Sequence, residues 1–480
     1  MQNTILKEKI TKEPDSYKTK QESIKTHIDR VSRSFASGKT KSLAWRTSQL
    51  KALDQMLLKE EVQFLKALKS DLGKGTAEAI TSEIAFVRSE IDYCLSNLKG
   101  WLKKEKVSTP MLLQPSKSYI VREPLGVVLI IGSWNLPVAV LLGPMLGAIA
   151  AGNAVVLKPS EIAPATSNLL AKLLPEYLDT DSIALIEGGI EETTYLLEES
   201  WGHIFYTGNG AVGRIVASSA GKTLSPVTLE LGGKSPAYVS KDANISVAAK
   251  RLVWSKWMNV GQVCVSPDYI IADEKIVPEL IEELKIAIDT FYGKDPSKSS
   301  DYGRIINEKH FDRLTNLLNT HEGNVVKGGK SIRQELYMEP TIVLNPSKNS
   351  PLMMNEIFGP ILPILSVDGP ISAVHFINQN SKPLTMSVFS TDRDVVDIFE
   401  KNTSSGALVV NDAIVNHRVP KLPFGGVGES GHGAYHGKAG FETFTHRKSV
   451  MVRYNILDLD LRYPPFSLKK LQAMRRLIGY

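Results

Sequence analysis

Cysteine is nearly absent: Cys94 and Cys264 are the only two in 480 residues. That is too few for a disulfide framework or a zinc knuckle, and it leads us to expect a reducing, cytoplasmic setting. No charge of one sign dominates. The 57 Lys and Arg against 51 Asp and Glu leave a net +6, too dilute for a protein dedicated to nucleic acid, which concentrates basic residues on one face. No apolar run is long enough to span a bilayer. The longest, 136–152, is broken by Pro137 and Pro144 and loosened by Gly143 and Gly147. It falls short of the ~20 residues a spanning helix needs and reads as a buried helix of an α/β core. Residues 1–34 mix Lys and Glu without the apolar segment of a signal peptide. They read as a polar N-terminal extension, poorly ordered or a loose surface helix. Internal repeats and low-complexity blocks are missing too. A balance of 42% hydrophobic and 22% charged residues excludes wholesale disorder and fibrous architecture. At roughly 150 residues per domain, the length predicts about three folding units.

From 35 to 106 the pattern is helical, with Leu50, Leu53, Leu57, Leu58, Phe64, Leu65 and Leu68 at 3.6-type spacing. A short strand at 118–121 reads as pairing away from the main sheet. Strands then alternate with helices: strands at 127–131, 154–157, 183–186, 203–206 and 227–230, helices at 137–151, after Pro164, at 191–199 and at 213–220. Val- and Ile-rich strands separated by helices predict a parallel, doubly wound sheet with ligands at the strands' carboxyl ends. After Gly233 a second α/β unit is predicted, with strands at 236–239, 269–272, 341–344, 361–365, 387–390 and 407–411. The segment 442–454 reads as a further strand, long enough to cross to a partner subunit. The tail from Phe466 carries Lys469, Lys470, Arg475 and Arg476 with no acid, and Leu468, Leu471, Met474, Leu477 and Ile478 between them. Helical spacing sets an apolar flank beside basic residues, suited to an anionic membrane surface. A helix packed on a partner subunit and a frayed tail are the other readings.

Gly208-Asn-Gly210-Ala-Val-Gly213 satisfies GxGxxG between a strand and a helix, with Glu230 placed 22 residues after Gly208, as in a dinucleotide fingerprint. Glu230, however, lies at the far end of the unit's last strand, facing the second unit. Lys158-Pro159-Ser160-Glu161, at the carboxyl end of the 154–157 strand, offers a better ribose site. The glycines still let the following helix start approach an adenosine or pyrophosphate. A second constellation, Asn259-Val-Gly261-Gln262-Val-Cys264, leads up to a lone thiol, which on its own is more often a small buried hydrophobe. Lys234 follows two glycines without the spacing of a P-loop and reads as structural. His432 and His436 have the i, i+4 separation of a helical metal pair, but flanking glycines argue against a helix and no HExxH acid is present. No metal site is expected. Cys94, in a Leu- and Ile-bearing helix, reads as core.

Five motifs stand in order along the chain: Ser133-Trp134-Asn135-Leu136-Pro137, Lys158 to Glu161, Glu230 with Gly232-Gly233-Lys234, Gln262 with Cys264, and Glu356-Ile-Phe358-Gly359-Pro360. With them the sequence resembles the NAD(P)-dependent aldehyde dehydrogenase superfamily from about 40 to 455. Cys264-Val-Ser-Pro267-Asp268-Tyr269 and Pro423-Phe424-Gly425-Gly426-Val427-Gly428-Glu429-Ser430-Gly431 resemble its class 3 branch, which acts on fatty and aromatic aldehydes. The resemblance implies two doubly wound Rossmann-like α/β domains, one cofactor-binding (35–114 and 125–231) and one catalytic (232–440). It adds a small β oligomerisation element (115–124 and 441–456) and leaves 457–480 as a basic amphipathic tail. It implies Cys264 as nucleophile, the Asn135 amide and Cys264 N–H as oxyanion donors, and Glu230 as the base that activates water. Glu356 and Phe358 would hold the nicotinamide ribose and ring, and Trp134, Lys158, Glu161, Gly208, Gly213, Leu231 and Gly232 complete the cofactor contacts. NAD is the expected cofactor, with NADP open. The expected substrate is a hydrophobic aldehyde, aliphatic, aromatic or a polyene such as an apocarotenal, and the expected assembly a homodimer. A reductive or acylating relative and a catalytically silent scaffold are the alternatives. Two departures stand out: Gly210 sits where the family usually carries Thr or Glu, which predicts a looser loop, and the N-terminal extension has no class 3 counterpart.

Overall fold

Short Val- and Ile-rich runs, each followed by a helix, can bury both faces only as a parallel sheet covered on both sides. The computed structural model, which describes residues 14–456 and 458–478, is a mixed α/β structure with two such sheets. The first runs in the order Gly431–His432, Val227–Leu231, His203–Gly208, Val127–Ile131, Ala154–Lys158, Ile183–Leu185. Only the two-residue strand Gly431–His432 is antiparallel to its neighbour. The chain builds outward from Val127–Ile131 in both directions, so the order reverses between that strand and His203–Gly208. The crevice outside their carboxyl ends is the place where such sheets take ligands.

Alternate residues serve opposite faces. Val128, Ile130, Val155 and Leu157 pack with the helices Leu43–Lys59, Glu61–Leu72, Ala85–Trp101 and Ala139–Ala151. Every residue of Ala139–Ala151 is buried. Leu129, Ile131, Val156 and Ile204 face the other layer. That layer includes a helix that composition does not announce. Where a loose or disordered extension is expected, Pro14–Ala36 is helical, and Ile24, Ile28 and Val31 are buried in the core of the first sheet. The i, i+4, i+7 spacing of these three makes a narrow apolar stripe that the surrounding Lys and Glu conceal in composition. Residues 1–13 of the extension lie outside the described residues.

The second sheet has seven strands, ordered Asn324–Lys327, Thr341–Leu344, Ile361–Val367, Tyr269–Asp273, Pro236–Val239, Thr385–Phe389, Ala407–Val410, with only the first antiparallel to its neighbour. A third, antiparallel sheet joins Glu105–Val107, Ser116–Pro124 and Thr445–Arg453, the last two in register from Ser116 opposite Arg453 to Pro124 opposite Thr445. The long strand predicted from 442 starts at Thr445. The residues before it form the helix Gly437–Thr443, held by Phe441 and Phe444, which are buried in the first domain's core. Leu468–Ile478 is a helix whose Leu468, Leu471, Leu477 and Ile478 are exposed; residues 457, 479 and 480 of the tail lie outside the described residues. Among the described residues no helix is long and apolar enough to cross a membrane.

Candidate active site

The thiol sits on a strained turn. After the helix Ile245–Trp257 the backbone passes through Asn259, Val260 and Gly261 at φ of 50°, 57° and 75°. For the two residues with a Cβ, left-handed backbone costs about 1–3 kcal/mol each and persists only where surroundings enforce it. Here Asn259 N–H donates to Glu78 Oε1 (3.0 Å), and its amide donates to Asn135 O (2.8 Å) and Gln262 O (3.1 Å). The Gln262 amide donates to Asn259 O and Arg304 O and accepts from Ile306 N–H, each at 3.0 Å. A Cβ on Gly261 would collide with Gly359 O, so the turn is seated directly on the segment carrying Glu356 and Phe358. Cys264 emerges partly exposed at its end. Burial, with the Glu230 and Glu356 carboxylates adding, pushes its thiol up to about 12.

Glu230 belongs to the strand Val227–Leu231, flanked by Thr207 on one side and Gly431 on the other. It is buried, and its Oε1 has no hydrogen-bond partner. An unpaired carboxylate out of water is costly, and burial accordingly raises this carboxyl well above the usual range. Tyr435 stands close enough to Glu230 and Cys264 that, beyond the effect of its own burial, both raise its phenol further; it stacks on His436 at 4.0 Å and meets Phe205 and Phe424 edge-on.

Asn135 follows the strand Val127–Ile131. Its side chain donates to Gln262 O (3.0 Å) and accepts from Ser133 Oγ (2.6 Å), which ties the loop of the first domain to the thiol turn of the second. Trp134 beside it packs against His310 at 4.8 Å and Phe358 at 5.4 Å. No sequence motif points to His310; its Nδ1 is buried without a partner, and burial lowers the ring to about 4.

Glu356 accepts from Gly233 N–H at 3.1 Å. A Cβ on Gly232 would collide with Glu356 Oε1, so only glycine lets the carboxylate reach this backbone. Burial, with Asp268 adding, raises Glu356 to about 7. Phe358 has φ 47°, held by Arg313 donating to Ile357 O (2.7 Å), Ile357 N–H donating to Asp268 Oδ1 (3.0 Å), and the Trp257 indole donating to Pro360 O (3.0 Å). Lys234 belongs to the same scaffold: its ammonium donates to Asp268 Oδ2 (2.6 Å), Leu352 O and Asn355 O.

Across the crevice, Lys158 ends the strand Ala154–Lys158 with its ammonium buried, donating to Pro159 O (2.7 Å) and to the half-exposed Glu161 (3.3 Å). An ammonium carries three donors, so one remains. The GxGxxG segment is more regular than predicted. Gly210 does not loosen a loop; it opens the helix Gly210–Thr223, capped by Asn209 Oδ1 accepting from Val212 N–H (3.0 Å). Gly213 serves close packing, since a Cβ there would lie 2.8 Å from Leu231 Cδ2. Gly208 ends the His203–Gly208 strand beside Thr207, whose buried Oγ1 has no partner. A helix start at the sheet's reversal point, a lysine with a spare donor, an orphaned hydroxyl and a glycine-lined carboxylate together fit a dinucleotide.

The histidines of the 431–437 loop part company. His432 is exposed, while His436 is buried 3.7 Å from Glu90. Among the described residues no group of three or more His, Cys, Asp or Glu is placed to hold a metal ion. Cys94 is buried in the first domain's core.

The aldehyde dehydrogenase family model matches residues 7–450. The chain is 48% identical over 448 residues to the mouse protein named aldehyde dehydrogenase, dimeric NADP-preferring, covering 93% of this chain and 98% of that one. It is 44% identical over 454 residues to aldehyde dehydrogenase family 3 member H1 of Arabidopsis thaliana, covering 94% of each. Among solved structures, the substrate-bound Staphylococcus aureus AldH superposes with a TM-score of 0.92 at 42% identity, over 95% of this chain and 99% of that one. A Mycobacterium tuberculosis aldehyde dehydrogenase complexed with NAD+ superposes at 0.81 with 28% identity, over 88% of each.

Proposed function

This chain belongs to the aldehyde dehydrogenase family, an NAD(P)-dependent oxidoreductase, and we propose that it oxidises hydrophobic aldehydes to carboxylic acids through a covalent intermediate on Cys264. The observation that carries the reading is the meeting of a partly exposed thiol, an amide tied to its turn, and a buried carboxyl with one oxygen unpartnered. The Cys264 thiol gives up its proton to solvent, the thiolate attacks the carbonyl carbon, a C–S bond forms, and the carbonyl oxygen takes the negative charge. Asn135 Nδ2 has two hydrogens and Gln262 O takes one; the other, with the Cys264 N–H, stabilises that oxygen. The cofactor, when bound, would supply the hydride acceptor, and loss of the hydride from this carbon would leave it as a thioester on Cys264. Glu230 then takes a proton from water, whose oxygen attacks the thioester carbon; the C–S bond breaks, the acid leaves and the thiolate is restored. A base needs an affinity for the proton near the working pH, and burial lifts Glu230 toward it.

Lys158 and Glu161 would hold the adenosine ribose, and Glu356 the nicotinamide ribose. Trp134 and Phe358 would flank the ring, and Gly208, Gly213, Leu231 and Gly232 would complete the cofactor contacts. Support for an apolar substrate comes from packing: Cys264 and Leu136 lie against the same buried cluster as Tyr435 and Phe424. The strand Thr445–Arg453, exposed along most of its length, suits a homodimer. The basic tail helix Leu468–Ile478 suits contact with an anionic membrane. The test is NADH and NADPH formation across acetaldehyde, hexanal, decanal, benzaldehyde and a polyene aldehyde. The reading expects kcat/KM to rise with apolar length; activity on acetaldehyde without activity on decanal refutes the substrate class.

A further inference from the structure

Lys74 and Glu83 form an ion pair with no exposed side-chain surface, the ammonium 2.5 Å from Glu83 Oε1. Neither belongs to any motif of the site. Replacing such a pair by well-packed hydrophobic residues of similar volume is often neutral or stabilising, so stability alone gives no reason for it. Its remaining bonds do. Lys74 also donates to Asn135 O (3.2 Å), and Glu83 Oε2 accepts from Val138 N–H (3.1 Å) and Ala139 N–H (2.9 Å), donors at the start of the helix Ala139–Ala151 that lack a partner inside it.

The pair therefore grips the loop around Asn135 from both sides. Asn259 adds a second bond to Asn135 O, and Glu78 holds Asn259 in turn. The backbone is shaped to deliver these acids. Between Thr76–Ala79 and Ala85–Trp101 the chain makes a π-helical turn, Ile80–Ile84. The residue such a turn inserts rotates the helix on its N-terminal side by about 100° relative to the helix on its C-terminal side. With it, Glu78 meets the thiol turn while Glu83 meets the Asn135 loop. Lys74 is wedged in place between two glycines, where a Cβ would lie 2.9 Å from Arg304 Cγ (at Gly73) and 2.8 Å from Ser300 O (at Gly75).

We infer that Lys74 and Glu83 are positioning residues that fix the Asn135 amide against the thiol turn. The inference rests on the proposed role of Asn135 as an oxyanion donor. A mutant cycle on the full chain, with NADP+ and hexanal in single turnover, tests it. In the parent, Asn135→Ala removes one donor and is expected to slow NADPH formation about 10²–10³-fold. The double substitution Lys74→Met/Glu83→Gln removes both charges yet keeps an oxygen for Val138 and Ala139. It is expected to fold with a Tm a few degrees lower, one buried amide donor being left without a partner, to bind NADP+ within about twofold, and to slow NADPH formation about 10–100-fold through a displaced amide. Adding Asn135→Ala to that background then costs less than about tenfold more, a coupling that a purely structural pair would not produce. Equal cost of Asn135→Ala in both backgrounds, or a parent rate in the folded pair variant, overturns the inference alone. A parent rate in Asn135→Ala by itself overturns the donor assignment and the inference with it. Should the pair variant not fold, Lys74→Met alone, which leaves the Glu83 carboxylate its two backbone donors at the helix start, goes through the same cycle, with the same supporting and overturning results.

Discussion

Replacing Glu230 by glutamine should do two opposite things, slow the enzyme and stabilise the fold. Positioned general bases contribute about 10²–10⁴ in rate, about 2.7–5.4 kcal/mol of barrier, and that loss should fall on thioester hydrolysis. Stopped-flow mixing with hexanal and NADP+ should then show a burst of NADPH approaching one per subunit, followed by a slow steady state. The burst rate reports separately whether Glu230 also takes the thiol proton. The stability effect comes from burial. A carboxyl whose folded value is raised contributes stability that is present below its unfolded value of about 4.3 and is lost as pH rises through the folded value. Each unit of upward shift then costs about 1.4 kcal/mol once the group is ionised. Glu230 is buried with Oε1 unpartnered and raised well above the usual range, so Glu230→Gln should raise Tm at pH 9 and change it little at pH 4. At this domain size each kcal/mol corresponds to about 2–4 °C. A variant with parent steady-state turnover, no burst and a lowered Tm at pH 9 refutes the reasoning.

The resting thiol, held up to about 12 by burial with Glu230 and Glu356 adding, predicts that iodoacetamide labelling of the Cys264 peptide accelerates about 100-fold from pH 7 to 9, since the thiolate is the reactive form; a rate level from pH 7 contradicts it. Glu161→Gln removes a half-exposed negative charge beside Lys158 and should raise kcat/KM for NADP+ relative to NAD+ about three- to tenfold, from roughly 1 kcal/mol of screened repulsion; an unchanged ratio places the 2′-phosphate elsewhere. Ile28→Ala empties a buried position under the first sheet and should cost at least about 2 kcal/mol, a Tm loss of about 4–8 °C; an unchanged Tm means the N-terminal helix adds nothing to the core.

Patterns that repeat at short range are legible in the sequence. The Val- and Ile-rich central strands such as Val127–Ile131 and Ala154–Lys158 can be placed to within a few residues, because a strand buried on both faces reads as an unbroken apolar run. Three apolar positions in a Lys- and Glu-rich helix are not legible, since Ile24, Ile28 and Val31 acquire meaning only when the sheet beneath them is known. Edge strands such as Asn324–Lys327 carry too little apolar pattern to stand out. In the site, the motif residues can be named from resemblance, whereas the supports cannot. Lys74 and Glu83 meet Asn135 and Ala139 across more than fifty residues, through a π-helical turn that leaves no compositional mark. His310 joins Trp134 from the other domain, and no local pattern marks it. Gly210 misleads for a related reason: glycine at a helix start looks like a flexible loop until Asn209 is seen to cap it.

The central claim, that Cys264 carries the acyl group while the cofactor is held by other residues, is tested most directly by Cys264→Ala, with NADPH formation and NADP+ binding measured on the same preparation. The account predicts no detectable NADPH from hexanal and an NADP+ Kd within about twofold of the parent, because a methyl side chain forms no bond to the carbonyl carbon. NADPH still formed at a measurable fraction of the parent rate, from protein whose NADP+ affinity is intact, would contradict it.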